Sequence, residues 1–165
     1  MNKFEKVSKN QFLADYHNEF GDGLDKTIEE IYDNIIYPKR GSKYSSGYDI
    51  STPISFKIRK GETYKFPTGL RCKIDPDTTL LIVPRSSVGF KHDIMLSNTV
   101  GVIDADYYNS DNEGHIWVKL INHGNQDVTF NAGDRICQGI FVKYSVTEDD
   151  DAMNERNGGI GSTGE

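Results

Sequence analysis

The chain from residue 47 onward consists of short segments in which apolar and polar residues alternate. Gly, Pro, Asn or Asp interrupts this pattern about every eight to twelve residues, which is typical of an all-β sandwich or barrel. Alternation gives each strand one face to bury, as Leu70, Cys72 and Ile74 illustrate. We therefore expect an all-β domain with strands at residues 54–58, 63–66, 69–74, 79–84, 115–122, 127–130 and 135–143.

Two short helices are expected before this domain. Ser8 is a suitable N-cap for the first helix and Asp25 for the second. Apolar side chains follow the caps at helical spacing, namely Phe12, Leu13 and Tyr16, then Ile28, Ile31, Tyr32 and Ile35. The predicted organisation is a helical N-terminal extension at 1–35 that packs against the body of the domain, a β domain at 36–146, and an acidic linker with a flexible glycine-rich arm at 147–165.

Composition narrows the class of protein. The 165 residues include 25 acidic and 19 basic side chains, a net charge of -6, whereas a nucleic-acid binder needs a basic surface. The longest fully apolar run, residues 80–83, is far too short for a membrane span, and the first six residues do not resemble a signal peptide. Cys72 and Cys137 stand within apolar alternation, so we expect reduced, buried thiols in a cytoplasmic protein.

Three polar clusters can carry chemistry. Residues 84–89 (Pro-Arg-Ser-Ser-Val-Gly) join a guanidinium, two hydroxyls and a glycine after an apolar strand, a combination able to hold oxyanions. Residues 98–107 have the pattern of a hairpin that ends in paired acids beside Tyr107, and a carboxylate there can act as a general base. The arm ends in arginine, glycines and hydroxyls, which suit phosphates. Taken alone, the first two clusters are better explained as ordinary surface turns, and the third can also be an ordinary disordered terminus. The histidines and cysteines lack metal-site spacing.

Five segments, taken together and in order, resemble the trimeric deoxyuridine triphosphatase (dUTPase) family over roughly residues 36–164. They are residues 46–50 (Ser-Gly-Tyr-Asp-Ile), 84–89, 98–107, 132–138 (Ala-Gly-Asp-Arg-Ile-Cys-Gln) and 156–164. The resemblance implies a jelly-roll-like β-clip domain in a homotrimer, with active sites between subunits and the arm of one chain closing over a site built by others. It also implies hydrolysis of dUTP to dUMP and pyrophosphate, which limits uracil in DNA and supplies dUMP for thymidylate synthesis.

The resemblance assigns roles to single residues. Asp104 matches the carboxylate that orients and activates water for in-line attack at the α-phosphorus. Magnesium would be held mainly by the triphosphate, with Asp49 acting through water. Substrate contacts match Arg85, Ser86, Ser87 and Gln138 at the phosphates, Asn98, Gly101 and Ile103 at the uracil edge, Tyr107 beneath the deoxyribose, and Arg156, Ile160, Gly161, Ser162 and Thr163 in the arm. A tight pocket would exclude thymine's methyl group, and Tyr107 would clash with a ribose 2′-hydroxyl.

Three features depart from the family pattern. Residues 108–113 precede Gly114, where the family places its glycine very soon after the tyrosine. Ile160 occupies the position of an aromatic that stacks on uracil, and the glycine run after Arg156 is one residue shorter than usual. Residues 1–35 lie outside the resemblance.

Two alternatives stay open at this point. A deoxycytidine triphosphate deaminase resembles the same fold and shares the Arg-Ser-Ser turn, but it needs a proton-transferring glutamate five residues after Gly114, where this chain has Lys119. A nucleotide-gated regulator would instead use dUTP to close the arm and expose or hide a surface for a protein partner. The N-terminal extension and the loop at 108–113 leave room for such a partner.

Overall fold

The structure is a computed structural model that describes residues 1–23, residues 25–154 and Gly158. Twelve strands lie within these residues: β1 (Lys3–Lys6), β2 (Lys39–Arg40), β3 (Tyr48–Ser51), β4 (Phe56–Ile58), β5 (Thr63–Pro67), β6 (Leu70–Lys73), β7 (Thr78–Pro84), β8 (Ile94–Leu96), β9 (Gly101–Ile103), β10 (Trp117–Asn122), β11 (Val128–Phe130) and β12 (Arg135–Lys143). The helices are α1 (Lys9–Phe20), α2 (Asp25–Asp33) and α3 (Ser86–His92), with a 3₁₀ helix at Ala105–Asn109.

The described strands form small antiparallel sheets. The largest has the order β2-β3-β12-β7-β9, and a second has the order β5-β10-β8. Strands β1 and β6 pair with each other, as do β4 and β11. The expectation of an all-β domain is confirmed, and the seven expected strands correspond to β4 to β7 and β10 to β12 with ends that differ by two residues or fewer.

The core is built from the buried faces of these strands. Leu70, Cys72 and Ile74, predicted to share one face, are all buried, and so are Ile116, Val118 and Leu120 on the strand segment that pairs with β5 and β8. Each fully buried aliphatic side chain of this size stabilises the fold by about 1.5–3 kcal/mol. Burial of these faces therefore fixes the orientation of each strand about its axis, and this orientation determines where the polar loop residues reach the surface.

The N-terminal extension is part of this core. The Ser8 side chain accepts a hydrogen bond from the Gln11 backbone amide at 3.1 Å, so the predicted N-cap is confirmed. Phe12 and Ile28, one from each helix, join the buried cluster of the β domain. Strand β1 adds an antiparallel pairing to β6. The expected packing against the body is thus confirmed, while the boundary at residue 35 stays a prediction.

Two local expectations need correction. Residues 86–92 form the short helix α3 rather than a simple surface turn, because Val88 is buried and draws the segment back onto the domain. The segment 98–107 does turn, but its flanking strands do not form a hairpin with each other. Strand β8 pairs with β10, whereas β9 pairs with β7. None of the helices in the described part of the chain combines the length and apolar character needed to cross a bilayer.

Candidate active site

Strand β12 brings three of the five sequence segments together. It lies between β3 and β7, and Gln138 faces Asp49 on one side and Val83 on the other. Cys137 faces Pro84, so the end of β7 and the start of α3 lie beside the same stretch of β12. Asp49, Arg85 and Gln138, which are far apart in sequence, are therefore neighbours in a single chain.

Asp49 is the centre of a charged cluster. Its Oδ1 lies 2.8 Å from Nε of Arg85, and its Oδ2 lies 3.0 Å from Nη1 of Arg135. The Asp49 side chain is 12% exposed and that of Arg85 27%, so this contact is partly shielded from water. Two guanidinium groups around one carboxylate leave a net positive charge, which attracts an anion.

A bulge in β12 produces this arrangement. The register passes from Arg135 opposite Ser51 to Cys137 opposite Ile50, so Ile136 is an extra residue without a partner on β3. Since a bulge reverses the alternation of side chains, Arg135 and Gln138 both lie on the face that carries Asp49. The Ile136 carbonyl in turn accepts a hydrogen bond from the Arg85 amide at 3.0 Å, which fixes the start of α3.

Close packing explains a glycine in the first segment. A Cβ atom at Gly47 would lie 2.0 Å from Oε1 of Gln138, a distance that no real side chain could keep. Gly47 therefore allows the Gln138 amide to lie against the loop before β3. Ser86 and Ser87 are exposed in the first turn of α3, beside Arg85. The two hydroxyls thus follow directly on the guanidinium that Asp49 contacts.

A second group of predicted residues surrounds β9. Gly101 pairs with Ile82 so closely that a Cβ atom on Gly101 would lie 3.2 Å from the Ile82 Cβ. Asn98 is exposed in the turn before β9, and Asp104 is exposed directly after it. The Asp104 carbonyl accepts the Tyr107 amide hydrogen bond at 3.2 Å, which starts the 3₁₀ helix. This strand end holds Asp104 at the surface on a short, ordered turn.

Asp104 of the second group and Arg85 of the first lie towards opposite ends of β7. Ile103 is opposite Leu80, whereas Arg85 follows the far end of the strand at Pro84. At about 3.3 Å per residue, five residues along β7 separate them by roughly 17 Å. The structure therefore does not bring Asp104 to Arg85 within one chain.

Tyr107 packs beneath the loop at residues 108–113, whose role the sequence did not indicate. The residue is only 5% exposed, and its hydroxyl donates to the His115 carbonyl at 2.7 Å and accepts from Nδ2 of Asn112 at 2.9 Å. Sequence reasoning also missed Arg135, although it stands inside a quoted segment. Neither Asn112 nor Arg135 carries a spacing signal, because their partners come from distant turns or strands.

Burial makes the two cysteine thiols unreactive. Cys72 and Cys137 are buried free thiols, as expected, and burial raises the pKa of each to about 12. Neither thiol is a nucleophile at neutral pH.

The part of the chain described by the structure holds no group of three or more His, Cys, Asp or Glu side chains able to cage a metal ion. Asp49 can offer one carboxylate with both oxygens already accepting guanidinium contacts. Such a donor suits an outer-sphere contact through water better than direct ligation. Arg156, Ile160, Gly161, Ser162 and Thr163 lie outside the described residues.

Comparison with known proteins gives consistent matches. A family model described as dUTPase matches residues 33–164. The deoxyuridine 5′-triphosphate nucleotidohydrolase of Lactococcus lactis is 40% identical over 133 residues, covering 79% of this chain and 89% of the relative. The crystal structure of dUTPase from Streptococcus mutans has a TM-score of 0.66 at 30% identity and covers 88% of this chain and 98% of that one.

A more distant structure shows the same fold. A point mutant of the dUTPase from phage phi11 of S. aureus, whose structure shows a structural Mg(II) ion, has a TM-score of 0.66 at 17% identity over 93% of this chain and 97% of that one. These likenesses confirm the expected jelly-roll-like β fold.

Proposed function

The chain belongs to the dUTPase family, and from this premise we propose that it hydrolyses dUTP to dUMP and pyrophosphate at sites formed jointly by the Asp49 cluster and the β9 turn. The observation that carries the proposal is the convergence of Asp49, Arg85 and Gln138 on β12, since these residues come from three separate family segments. Nothing in the comparisons favours the deaminase or the nucleotide-gated regulator.

The Asp49 cluster would bind the phosphates. Asp49 holds Arg85 through Nε, which leaves the outer edge of the guanidinium to fork over phosphate oxygens. Ser86 and Ser87 add hydroxyl donors, and Gln138 adds an amide. Because Asp49 orients Arg85 before substrate arrives, less freedom is lost on binding.

The β9 turn would supply the reacting carboxylate. Asp104 would accept a proton from a water molecule and align it for in-line attack at the α-phosphorus, with the bond to the pyrophosphate oxygen breaking on the opposite side. Asn98, Gly101 and Ile103 would border uracil, and Tyr107 would support the deoxyribose. A phosphoryl transfer needs mainly positioning and charge stabilisation, so one base at a surface turn suffices.

These two parts would come from different copies of the chain. Asp104 must lie within one water molecule of the phosphorus that Arg85 helps to hold, whereas roughly 17 Å of β7 separates their backbones within one chain. A second copy that brings its β9 turn to the first copy's Asp49 cluster removes the gap. Cyclic assembly repeats this contact until the ring closes, and three copies would make three equal sites.

Magnesium would arrive with the nucleotide. The triphosphate would provide most ligands, and Asp49 would contact the hydrated ion through water, as the donor set above allows. When bound, the ion would neutralise charge that develops on the phosphate oxygens.

The C-terminal arm would close over the site, an assignment that rests on the sequence alone. Its contacting residues would be Arg156, Ile160, Gly161, Ser162 and Thr163. A cytoplasmic location is supported by the bacterial relatives.

A nucleotide panel tests the proposed activity. Pyrophosphate release is measured with Mg²⁺ and each of dUTP, dCTP, dTTP and UTP at matched concentrations. We expect a clear preference for dUTP in kcat/KM. Comparable rates with all four nucleotides would overturn the proposal, and deamination of dCTP would favour the alternative enzyme.

A further inference from the structure

The loop at residues 108–113 closes back onto Tyr107 through one amide side chain. Asn112 donates from Nδ2 to the Tyr107 hydroxyl at 2.9 Å, while its Oδ1 accepts from the Gly114 amide at 3.2 Å and from Ser110 Oγ at 2.8 Å. Gly114 has φ of 70°, and a Cβ atom there would lie 2.7 Å from the Tyr107 carbonyl oxygen. Only glycine lets the loop close at this distance.

The hydroxyl of Tyr107 is held from two sides. It donates to the His115 carbonyl at 2.7 Å and accepts from Asn112, so both of its hydrogen-bonding directions are used. The ring is thereby fixed at the end opposite its backbone. A tyrosine without these contacts could rotate about its side-chain torsions.

The N-terminal extension holds the C-terminal end of this loop. Glu113 accepts hydrogen bonds from the backbone amide and the hydroxyl of Ser8 at 2.7 and 2.6 Å. Burial raises the pKa of Glu113, but the Ser8 hydrogen bonds and the nearby charge of Arg71 outweigh burial, so this pKa lies below its ordinary value. The carboxylate therefore stays charged at neutral pH and keeps its hold on Ser8.

A buried histidine makes the second connection. His115 is fully buried, and its Nε2 accepts a hydrogen bond from the Gly69 amide at 2.8 Å. The other ring nitrogen, Nδ1, therefore carries a proton and donates it to Asp15 Oδ2 of α1 at 2.5 Å. The same residue whose carbonyl receives the Tyr107 hydroxyl is thus anchored to the N-terminal helix.

We propose that Asn112 is a positioning residue for Tyr107, and that the loop at 108–113, anchored by Ser8 and Asp15, sets how strongly the enzyme rejects ribonucleotides. The inference rests on the proposed function, in which Tyr107 lies beneath the deoxyribose. A ring excludes an added 2′-hydroxyl only if it cannot yield, so supports that lock its position raise discrimination. The loop absent from the family pattern would then be a specificity element.

The test substitution is Asn112→Asp. Aspartate keeps an oxygen acceptor for the Gly114 amide and for Ser110 but lacks the amide donor to Tyr107. We expect the ratio of kcat/KM for dUTP to that for UTP to fall about 2–10-fold, the range set by loss of one hydrogen bond. The fall should come mainly from faster use of UTP, with a melting temperature lowered by only a few degrees.

Two further variants make the result specific. Asn109→Asp adds the same charge to the same loop at an exposed residue and should leave the ratio unchanged. Tyr107→Phe keeps the ring but loses both hydroxyl hydrogen bonds, so it should lower the ratio at least as much as Asn112→Asp. Adding Asn112→Asp to Tyr107→Phe should cause no additional fall, because the contact between the two side chains is already gone.

The outcomes separate this inference from the proposed function. An unchanged ratio in Asn112→Asp, or a further fall of equal size in the Tyr107→Phe background, would overturn the positioning role alone, provided that Tyr107→Ala lowers the ratio. If Tyr107→Ala also leaves the ratio unchanged, Tyr107 does not contact the sugar and both assignments fail.

Discussion

Asp49 and Arg85 meet across the central strand of the largest sheet, with the Arg85 Nε 2.8 Å from the Asp49 Oδ1. The aspartate belongs to β3 and the arginine follows β7, so β12 between them determines their distance. The first segment of the family pattern thus orients the second. Arg135 makes the companion contact, but its side chain is 54% exposed.

Substitution of Asp49 should impair the phosphate site. Asp49→Ala removes the acceptor that orients Arg85, and loss of a charged hydrogen bond should lower kcat/KM for dUTP about 10–100-fold. Arg135→Ala is the matched control, because it removes the more exposed partner of the same carboxylate and should cost at most about 5-fold. Steady-state kinetics should show a larger loss of kcat/KM in Asp49→Ala than in Arg135→Ala. Equal losses in the two variants would contradict the prediction.

Asp104 should matter for turnover and not for binding. Asp104→Asn keeps the shape of the side chain but cannot accept a proton from water, so kcat should fall about 10²–10⁴-fold. The Kd for a non-hydrolysable dUTP analogue, followed by fluorescence, should stay within a few-fold of the wild type. Wild-type kcat in this variant would remove Asp104 from the reaction.

Mixed subunits test whether each site needs two copies. Asp104→Asn and Arg85→Ala should each be nearly inactive alone, since every site in either assembly lacks one group. When equal amounts are co-expressed, half of the β9 turns and half of the Arg85 positions are intact, so about one quarter of the sites should regain both. Activity of the mixed protein is compared with that of each variant alone. No recovery would show that both groups act within one chain.

The two cysteine thiols should be unreactive in the native state. Because burial raises the pKa of Cys72 and Cys137 to about 12, a thiol reagent at pH 8 should react only slowly with the folded protein. After denaturation, the same reagent should react with both thiols. Absorbance of the released chromophore gives the count. Rapid native reaction of either thiol would mean that this part of the core opens readily.

Glu113 should make stability sensitive to acid. The folded-state pKa of Glu113 lies below its ordinary value of 4.5, so the stabilising contribution is present above that value and is lost as pH falls through the folded pKa. Glu113→Gln should lower the free energy of unfolding by about 1 kcal/mol at pH 7. The difference from wild type should shrink on acidification, as urea melts at pH 7 and pH 3 would show. If the two proteins differed in free energy of unfolding by the same amount at both pH values, ionised Glu113 would not be the source of the stabilisation.

The sequence predicted regular and repeated features well. Strands such as β7 and β12 carry long alternation and turn signals, and so their positions were correct. Strands β1, β2, β3, β8 and β9 were not predicted, because they are two to four residues long and carry little alternation. Strands β4 and β11 are equally short, but each lies in a longer alternating segment. The helix α3 was missed because a single buried residue, Val88, decides its path.

Site residues were predictable as a set but not as contacts. The segments around Asp49 and Arg85 were identified, yet Arg135 joins their ion pair through a bulge at Ile136 that no spacing reveals. Likewise, residues 108–113 were recognised as an insertion, but their closure depends on Ser8 and Asp15 from the far end of the chain. Local pattern cannot encode which distant groups meet.

In the proposed assembly, strand β7 carries parts of two different active sites towards its two ends, and this limits where residues can be added to the chain. One residue added within Thr78–Pro84 would turn its remaining side chains to the opposite face, and two would lengthen the separation by about 7 Å. Every site of the proposed ring would be misaligned at once. Length changes should therefore be tolerated in surface turns such as the one after Tyr107 and be eliminated by selection within β7.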